Sequence, residues 1–165
     1  MSLLVVFGGL PATGKTTLAR ELARRLAAIH LRIDTIEQCL KAAGLAVGPT
    51  GYVIANALAA DNLMLDRAVV ADCVNPLLSS RNGWRETALR CSARIVEIEI
   101  ICSDLAEHRR RVESRVADIE GLIQPSWDEI RSRSFEPWDR DRFVLDTAGA
   151  SIDSLVDELQ AHVVG

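Results

Sequence analysis

The sequence predicts an α/β fold in three layers, a five-stranded parallel sheet with helices on both faces. Short apolar runs alternate with longer segments of helical period, the pattern of strands joined by crossover helices. The first run leads into a glycine-rich loop that opens an amphipathic helix. A chain of 165 residues with 48% apolar composition is one domain's worth of core, so residues 1–165 read as a single domain.

The first strand covers Leu3 to Phe7 and the helix after the loop runs from Lys15 to Ala28, with Leu18, Leu22 and Leu26 on one stripe. Leu31 to Ile33 is a short second strand ending at Asp34, and a helix from Thr35 to Ala43 follows. Gly44, Gly48, Pro49 and Gly51 mark a loop before a helix from Tyr52 to Asp66. Ala68 to Ala71 is the third strand, ending at Asp72. Asn75 and Pro76 break the chain, and Ser80 is placed to cap a helix from Arg81 to Cys91. The fourth strand is Arg94 to Ile101. Ser103 or Asp104 opens an arginine-dense helix to Val116, and the segment around 117–127 reads as a lid. A short helix from Trp127 to Arg133, a fifth strand from Phe143 to Leu145 and a last helix from Ile152 to Val163 complete the chain.

A net charge of −4 argues against nucleic acid as the main partner, since neutralising a phosphate backbone requires clustered positive charge. Cys39, Cys73, Cys91 and Cys102 are widely spaced with no CxxC pair, so neither a zinc site nor a disulfide framework is indicated. The apolar start has no preceding basic segment and ends at Gly8, too soon for a signal peptide, and no run approaches membrane-spanning length. The expected setting is a reducing cytoplasm.

The strongest chemical signal is Gly9-Leu10-Pro11-Ala12-Thr13-Gly14-Lys15-Thr16, which fits GxxxxGK[ST] at every fixed position, with Thr17 just beyond. Between a strand and a helix, such a loop wraps backbone N–H groups around phosphates, aided by the positive end of the helix. Lys15 is one of only two lysines among nineteen basic residues. It would reach the β and γ phosphates, and the Thr16 hydroxyl would ligate Mg²⁺. The expected ligand is ATP with magnesium.

Asp34, at a strand end, could accept the proton of an acceptor hydroxyl. With Glu37 three residues on, it also reads as a helix N-cap with a capping-box partner. Asp72 ends an apolar run where a carboxylate holds Mg²⁺, or else serves a loop by accepting backbone N–H bonds. Asn75 and Arg81 could touch substrate or shape the turn and helix start. Tyr52 and Asn56, beside the glycine-rich loop, are candidate acceptor-pocket residues. Arg111 and Arg115, at i and i+4, could neutralise charge on a transferred phosphoryl or form a solvated face with Glu107 and Glu113, whereas Arg109 and Arg110 read as surface. Asp146-Thr147-Ala148-Gly149 spells the DxxG of a GTPase switch, but it lies on the last strand with no NKxD after it. It reads as a strand end and turn bordering the adenine.

Taken together, GLPATGKTTLA, RIDTIE, VVADCVNPLLSSRNGWRETA, CSDLAEHRRRVESR, PSW and EPWDRDRFVLDT resemble the AAA-type small P-loop kinases, a group near zeta toxin, chloramphenicol phosphotransferase, gluconate kinase and adenylylsulfate kinase. The resemblance implies a P-loop NTPase sheet in the order 2-3-1-4-5, an acceptor bound near Asp34, and a lid carrying Arg111 and Arg115. The function expected is an ATP-dependent transfer of phosphate to a small-molecule hydroxyl. The rival expectation is a nucleotide-dependent switch or regulatory ATPase acting through a protein partner.

Overall fold

The computed structural model describes residues 2–165. Its elements are β1 (Leu3–Gly8), α1 (Lys15–Arg25), β2 (Ile29–Arg32), α2 (Ile33–Ala42), α3 (Thr50–Leu63), β3 (Val69–Asp72), α4 (Leu78–Arg90), β4 (Arg94–Ile101), α5 (Leu105–Ser114), α6 (Trp127–Ser132), β5 (Phe143–Asp146) and α7 (Ile152–Val164). The strands form one sheet in the order β2-β3-β1-β4-β5. Every pairing in it is parallel. The chain therefore has the five-stranded 2-3-1-4-5 architecture expected of it.

Central β1 explains the three layers. Its side chains alternate across the sheet, and both faces are covered, so the strand is apolar throughout. Val5 and Phe7 join Leu18, Leu22, Ile98, Val156 and Leu159 in the core beneath α1 and α7. Leu4 and Val6 join Ala55, Ala59, Leu63 and Trp84 in the core beneath α3 and α4. The small residues of α3 let that helix approach closely, while wholly buried Trp84 fills the remaining volume. Truncating Trp84 to alanine would cost about 3–5 kcal/mol.

Two boundaries move residues that matter. β2 runs straight into α2 without a turn, so Asp34 is the second residue of the helix and not the end of the strand. The N-cap is Arg32, whose side chain makes no capping bond, so Asp34 and Glu37 do not form the expected capping box. α4 begins at Leu78, three residues before the predicted start, and Ser80 lies inside it. The Ser80 hydroxyl bonds Asn75 Oδ1 (2.8 Å) and the Leu77 carbonyl (2.8 Å) instead of capping the helix. By contrast, Asp104 caps α5 as its position suggests, accepting from the N–H groups of Ala106 (2.9 Å) and Glu107 (3.0 Å).

Candidate active site

Parallel strands deliver their C-terminal ends to one edge of the sheet, and the loops there form a cleft of about 540 Å³. The floor is the turn between β1 and α1. Gly9 has φ +136°, and a Cβ there would stand 2.2 Å from the Ile100 carbonyl oxygen, so only glycine lets the loop cross β4. Gly14 is the left-handed N-cap of α1 and offers no capping side chain, which leaves the first N–H groups of α1 free to bind an anion. Thr13 is buried and donates to the Leu10 carbonyl (2.9 Å), fixing the loop's curl.

Lys15 Nζ donates to the same Leu10 carbonyl at 2.6 Å and is only 7% exposed. Burial pushes its pKa down to about 8, against the opposing pull of Asp72 and Asp34 and with a further push from Arg115. These four charged groups thus lie within electrostatic reach of one another at the mouth of the loop.

Asp72 pairs with Phe7 across β1 and β3, which sets it beside the loop. It is 3% exposed. Burial alone would raise its pKa, but His30, the Lys15 charge and the Thr16 hydroxyl hold it below the ordinary carboxylate range. His30 Nε2 lies 3.4 Å and Arg32 Nε 3.8 Å from Asp72 Oδ2, yet all three atoms lack a hydrogen bond among the described residues. A buried carboxylate held anionic, with one oxygen lacking a hydrogen bond and a threonine hydroxyl near the group, is a donor set of the kind a divalent cation takes, so Thr16 and Asp72 fit magnesium.

The rest of the cleft is lined by Asp34, Glu37 and Lys41 of α2, together with Tyr52, Pro76, Arg133 and the lid residues Leu122 to Pro125. Asp34, Glu37 and Lys41 stand at i, i+3 and i+7, one stripe of the helix. Burial, then the neighbouring Asp34 charge, raises the Glu37 pKa. The Tyr52 hydroxyl accepts from the Asn75 N–H (2.9 Å). Burial drives its ionisation far above the ordinary range.

On the other side of the loop a second cavity of about 290 Å³ is walled by Leu18, Thr147, Ala150, Ile152 and Leu155. Arg111 borders both spaces. It is bonded to Glu107, to Thr147 Oγ1 (2.8 Å) and to the Thr147 carbonyl (2.9 Å). Arg115 ends α5, lines the main cleft and makes no ion pair among the described residues.

Residues 4–137 match the AAA domain family. The chain belongs to that family. No curated protein matches the sequence. Among solved structures, this AAA-domain chain is similar to a provisionally named kinase from Chloroflexus aurantiacus j-10-fl, at TM-score 0.77 and 21% identity over 99% of this chain and 96% of that one. It is also similar to the Mycobacterium tuberculosis APS kinase CysC, solved with AMPPNP and APS, at TM-score 0.71 and 19% identity over 99% and 98%. A gluconokinase from Sinorhizobium meliloti 1021 matches at TM-score 0.68 and 17% identity over 97% and 90%. At these identities the likeness is one of fold, the fold of small P-loop kinases.

Three residues expected at the substrate lie elsewhere in this AAA domain. Asn56 donates to the Tyr52 carbonyl (2.9 Å) and accepts from Thr87 (2.7 Å), which ties α3 to α4. Asn75 is wholly buried at φ +53° and shapes the turn after β3. Arg81 is also wholly buried. It donates to the carbonyls of Asn75 (3.1 Å), Pro76 (3.3 Å), Glu136 (2.8 Å) and Pro137 (3.0 Å), and its guanidinium lies 4.1 Å from the Trp138 ring centroid. None of the three lines the cleft. Sequence reasoning passed over Arg32, Glu37 as a lining residue, Lys41 and Arg133. The helical spacing of Asp34, Glu37 and Lys41 was the available signal for two of them.

Proposed function

We propose that this protein is a phosphotransferase that moves the γ-phosphate of MgATP to a hydroxyl of a small molecule. The observation carrying this reading is that one cleft is lined both by the phosphate-binding loop and by Asp34, Glu37 and Tyr52. A pure switch has no need of a second polar compartment opening onto the phosphate site.

The loop N–H groups and Lys15 hold the phosphates, and the apolar cavity beside Leu18, Ile152 and Leu155 takes the adenine. Thr16 and Asp72 would hold the magnesium ion, which supplies neutralising charge to the phosphate oxygens. Asp34 orients the acceptor hydroxyl and takes its proton. The acceptor oxygen bonds to γ-phosphorus while the bond from phosphorus to the bridging oxygen breaks, releasing ADP. Arg115, without an ion pair among the described residues and within electrostatic reach of Lys15, stabilises charge on the moving phosphoryl. The rate comes mainly from positioning and electrostatics. Four free cysteines suit a reducing cytoplasm, and among the described residues no helix is long and apolar enough to cross a membrane.

The test is ADP release from MgATP with pooled sugars, nucleosides, hydroxylated metabolites and antibiotics. At least one pool should accelerate release. If none does, the switch reading takes over. Lys15→Ala should abolish turnover, and Asp34→Asn should cut acceptor-dependent turnover while ATP binding persists. Equal loss of both in Asp34→Asn would mean that Asp34 is structural.

A further inference from the structure

The lid is tied to the floor of the site through one buried guanidinium. Arg32 is the last residue of β2 and its side chain is 5% exposed. Its two terminal nitrogens make a bidentate bond to Asp118, Nη1 to Oδ2 at 2.9 Å and Nη2 to Oδ1 at 3.0 Å. Asp118 belongs to the irregular stretch between α5 and α6, where it also accepts from Arg20 of α1 (2.8 Å). On its other side Arg32 faces Asp72 through Nε (3.8 Å) and Asp34 through Nη2 (4.0 Å). One planar cation is therefore shared by a lid carboxylate, the expected magnesium-side carboxylate and the expected acceptor-side carboxylate.

Two further observations support a docked lid. Gly121 sits against α2 so closely that a Cβ there would lie 2.8 Å from Gln38 Nε2. Four residues beyond Asp118, Leu122 to Pro125 line the cleft itself. The position of Asp118 thus sets where the lid wall stands relative to Asp34. A lysine could not replace Arg32, because only the guanidinium fork grips one carboxylate with two nitrogens while presenting Nε to another.

We propose that Arg32 is a positioning residue that couples lid closure to the arrangement of Asp72 and Asp34, with Asp118 as its latch. This rests on the phosphotransferase reading for its kinetic consequence but not for its structural one. With the latch engaged, the lid wall excludes water and the γ-phosphate meets only the acceptor. With the latch broken, Asp72 and Asp34 keep a cation between them, but the acceptor end opens and water competes.

Asp118→Asn is the main variant, because its side chain is partly exposed and the substitution removes charge without volume. Arg32→Lys is the second, keeping the charge between the carboxylates while losing the fork. The first readout needs no acceptor: amide hydrogen exchange of residues 116–124 with Mg²⁺ and AMPPNP bound. Exchange should quicken in both variants relative to the unaltered chain. Unchanged exchange overturns the latch, whatever becomes of the phosphotransferase reading. The second readout is kinetic. Asp118→Asn should raise acceptor KM by about tenfold, alter kcat far less, and increase the fraction of ATP lost to water. Arg32→Lys should lower kcat as well, since it also faces Asp72 and Asp34. Faster exchange with an unchanged KM and unchanged partition between acceptor and water would overturn the coupling. Fast exchange together with no acceptor in any pool would leave the latch standing and remove the phosphotransferase reading.

Discussion

Arg111 of α5 and Thr147, just past β5, lock together through both the side chain and the backbone of the threonine, at 2.8 and 2.9 Å. The same threonine hydroxyl donates to the Thr13 carbonyl of the phosphate-binding loop at 2.7 Å. Arg111 therefore braces the wall between the phosphate-binding loop and the smaller cavity, the proposed adenine site, and its bonding capacity is largely committed there. Sequence alone left it, with Arg115, open between neutralising a transferred phosphoryl and forming a solvated face. Arg111→Ala should weaken ATP binding by about tenfold, the loss of one to two net hydrogen bonds. Because the brace shapes the base cavity, the preference for ATP over inorganic triphosphate should shrink. Competition between the two ligands measures it, and an equal loss for both would place Arg111 on the phosphates.

Arg115 is the freer cation. It ends α5 in an extended conformation, lines the main cleft, and adds a small push to the burial that lowers the Lys15 pKa. Arg115→Ala should lower kcat by about a hundredfold, as removal of one donor aimed at developing charge does. ATP affinity should change little. A variant that lost ATP affinity and kept kcat would make Arg115 a ground-state phosphate ligand.

The parts of this site that were legible in the sequence were those fixed by local rules. The β1 strand, the phosphate loop and the start of α1 follow from a motif whose glycines answer to a positive φ and a close crossing of Ile100. β4 was read to both ends because its Ile and Val positions alternate with Glu97 and Glu99 and run on to Ile101, where Cys102, Ser103 and Asp104 break the pattern. Asp34 was placed at the end of the strand with a helix from Thr35, whereas the strand ends at Arg32 and the helix already begins at Ile33. Arg32 and Asp118 are 86 residues apart, and no periodicity links a strand end to an irregular lid. Arg81 stood open between touching substrate and shaping the turn and helix start; the carbonyls of Asn75 and Pro76 place it in that turn, while those of Glu136 and Pro137, 55 and 56 residues away, follow no local pattern.

Lys15 titrates within reach of an ordinary experiment. Its pKa falls from 10.5 to about 8 through burial, so above pH 8 the loop increasingly carries a neutral amine. A triphosphate placed beside it favours the ammonium form and raises that pKa. ATP binding between about pH 8 and 9 should therefore take up a proton, and affinity should fall as pH rises past 8. Calorimetry in two buffers of different ionisation enthalpy reads the uptake, and Lys15→Met should abolish it. The stability consequence has a definite sign. From about pH 8 to 10.5 the unfolded chain binds more protons than the folded one, so Lys15 makes stability rise with pH across that window. Without nucleotide, Lys15→Met should be more stable to urea than the unaltered chain at pH 7, and the gap should narrow as pH climbs through the window.

Arg81 separates a structural cation from a substrate-binding one. Its guanidinium joins the turn after β3 to the irregular segment before β5, which is also pinned where Glu136 N–H donates to the Pro76 carbonyl (2.8 Å). Arg81→Met keeps the length of the side chain but leaves the carbonyls of Asn75, Glu136 and Pro137 without their donor, and it loses the stacking on Trp138. Breaking such a buried network should cost about 3 kcal/mol, visible as a lower urea midpoint. The burial penalty of the cation is relieved at the same time, which keeps the loss from being larger. Acceptor KM, measured on the folded fraction at low temperature, should stay close to that of the unaltered chain, because Arg81 does not line the cleft. A raised acceptor KM at unchanged stability would return Arg81 to the substrate.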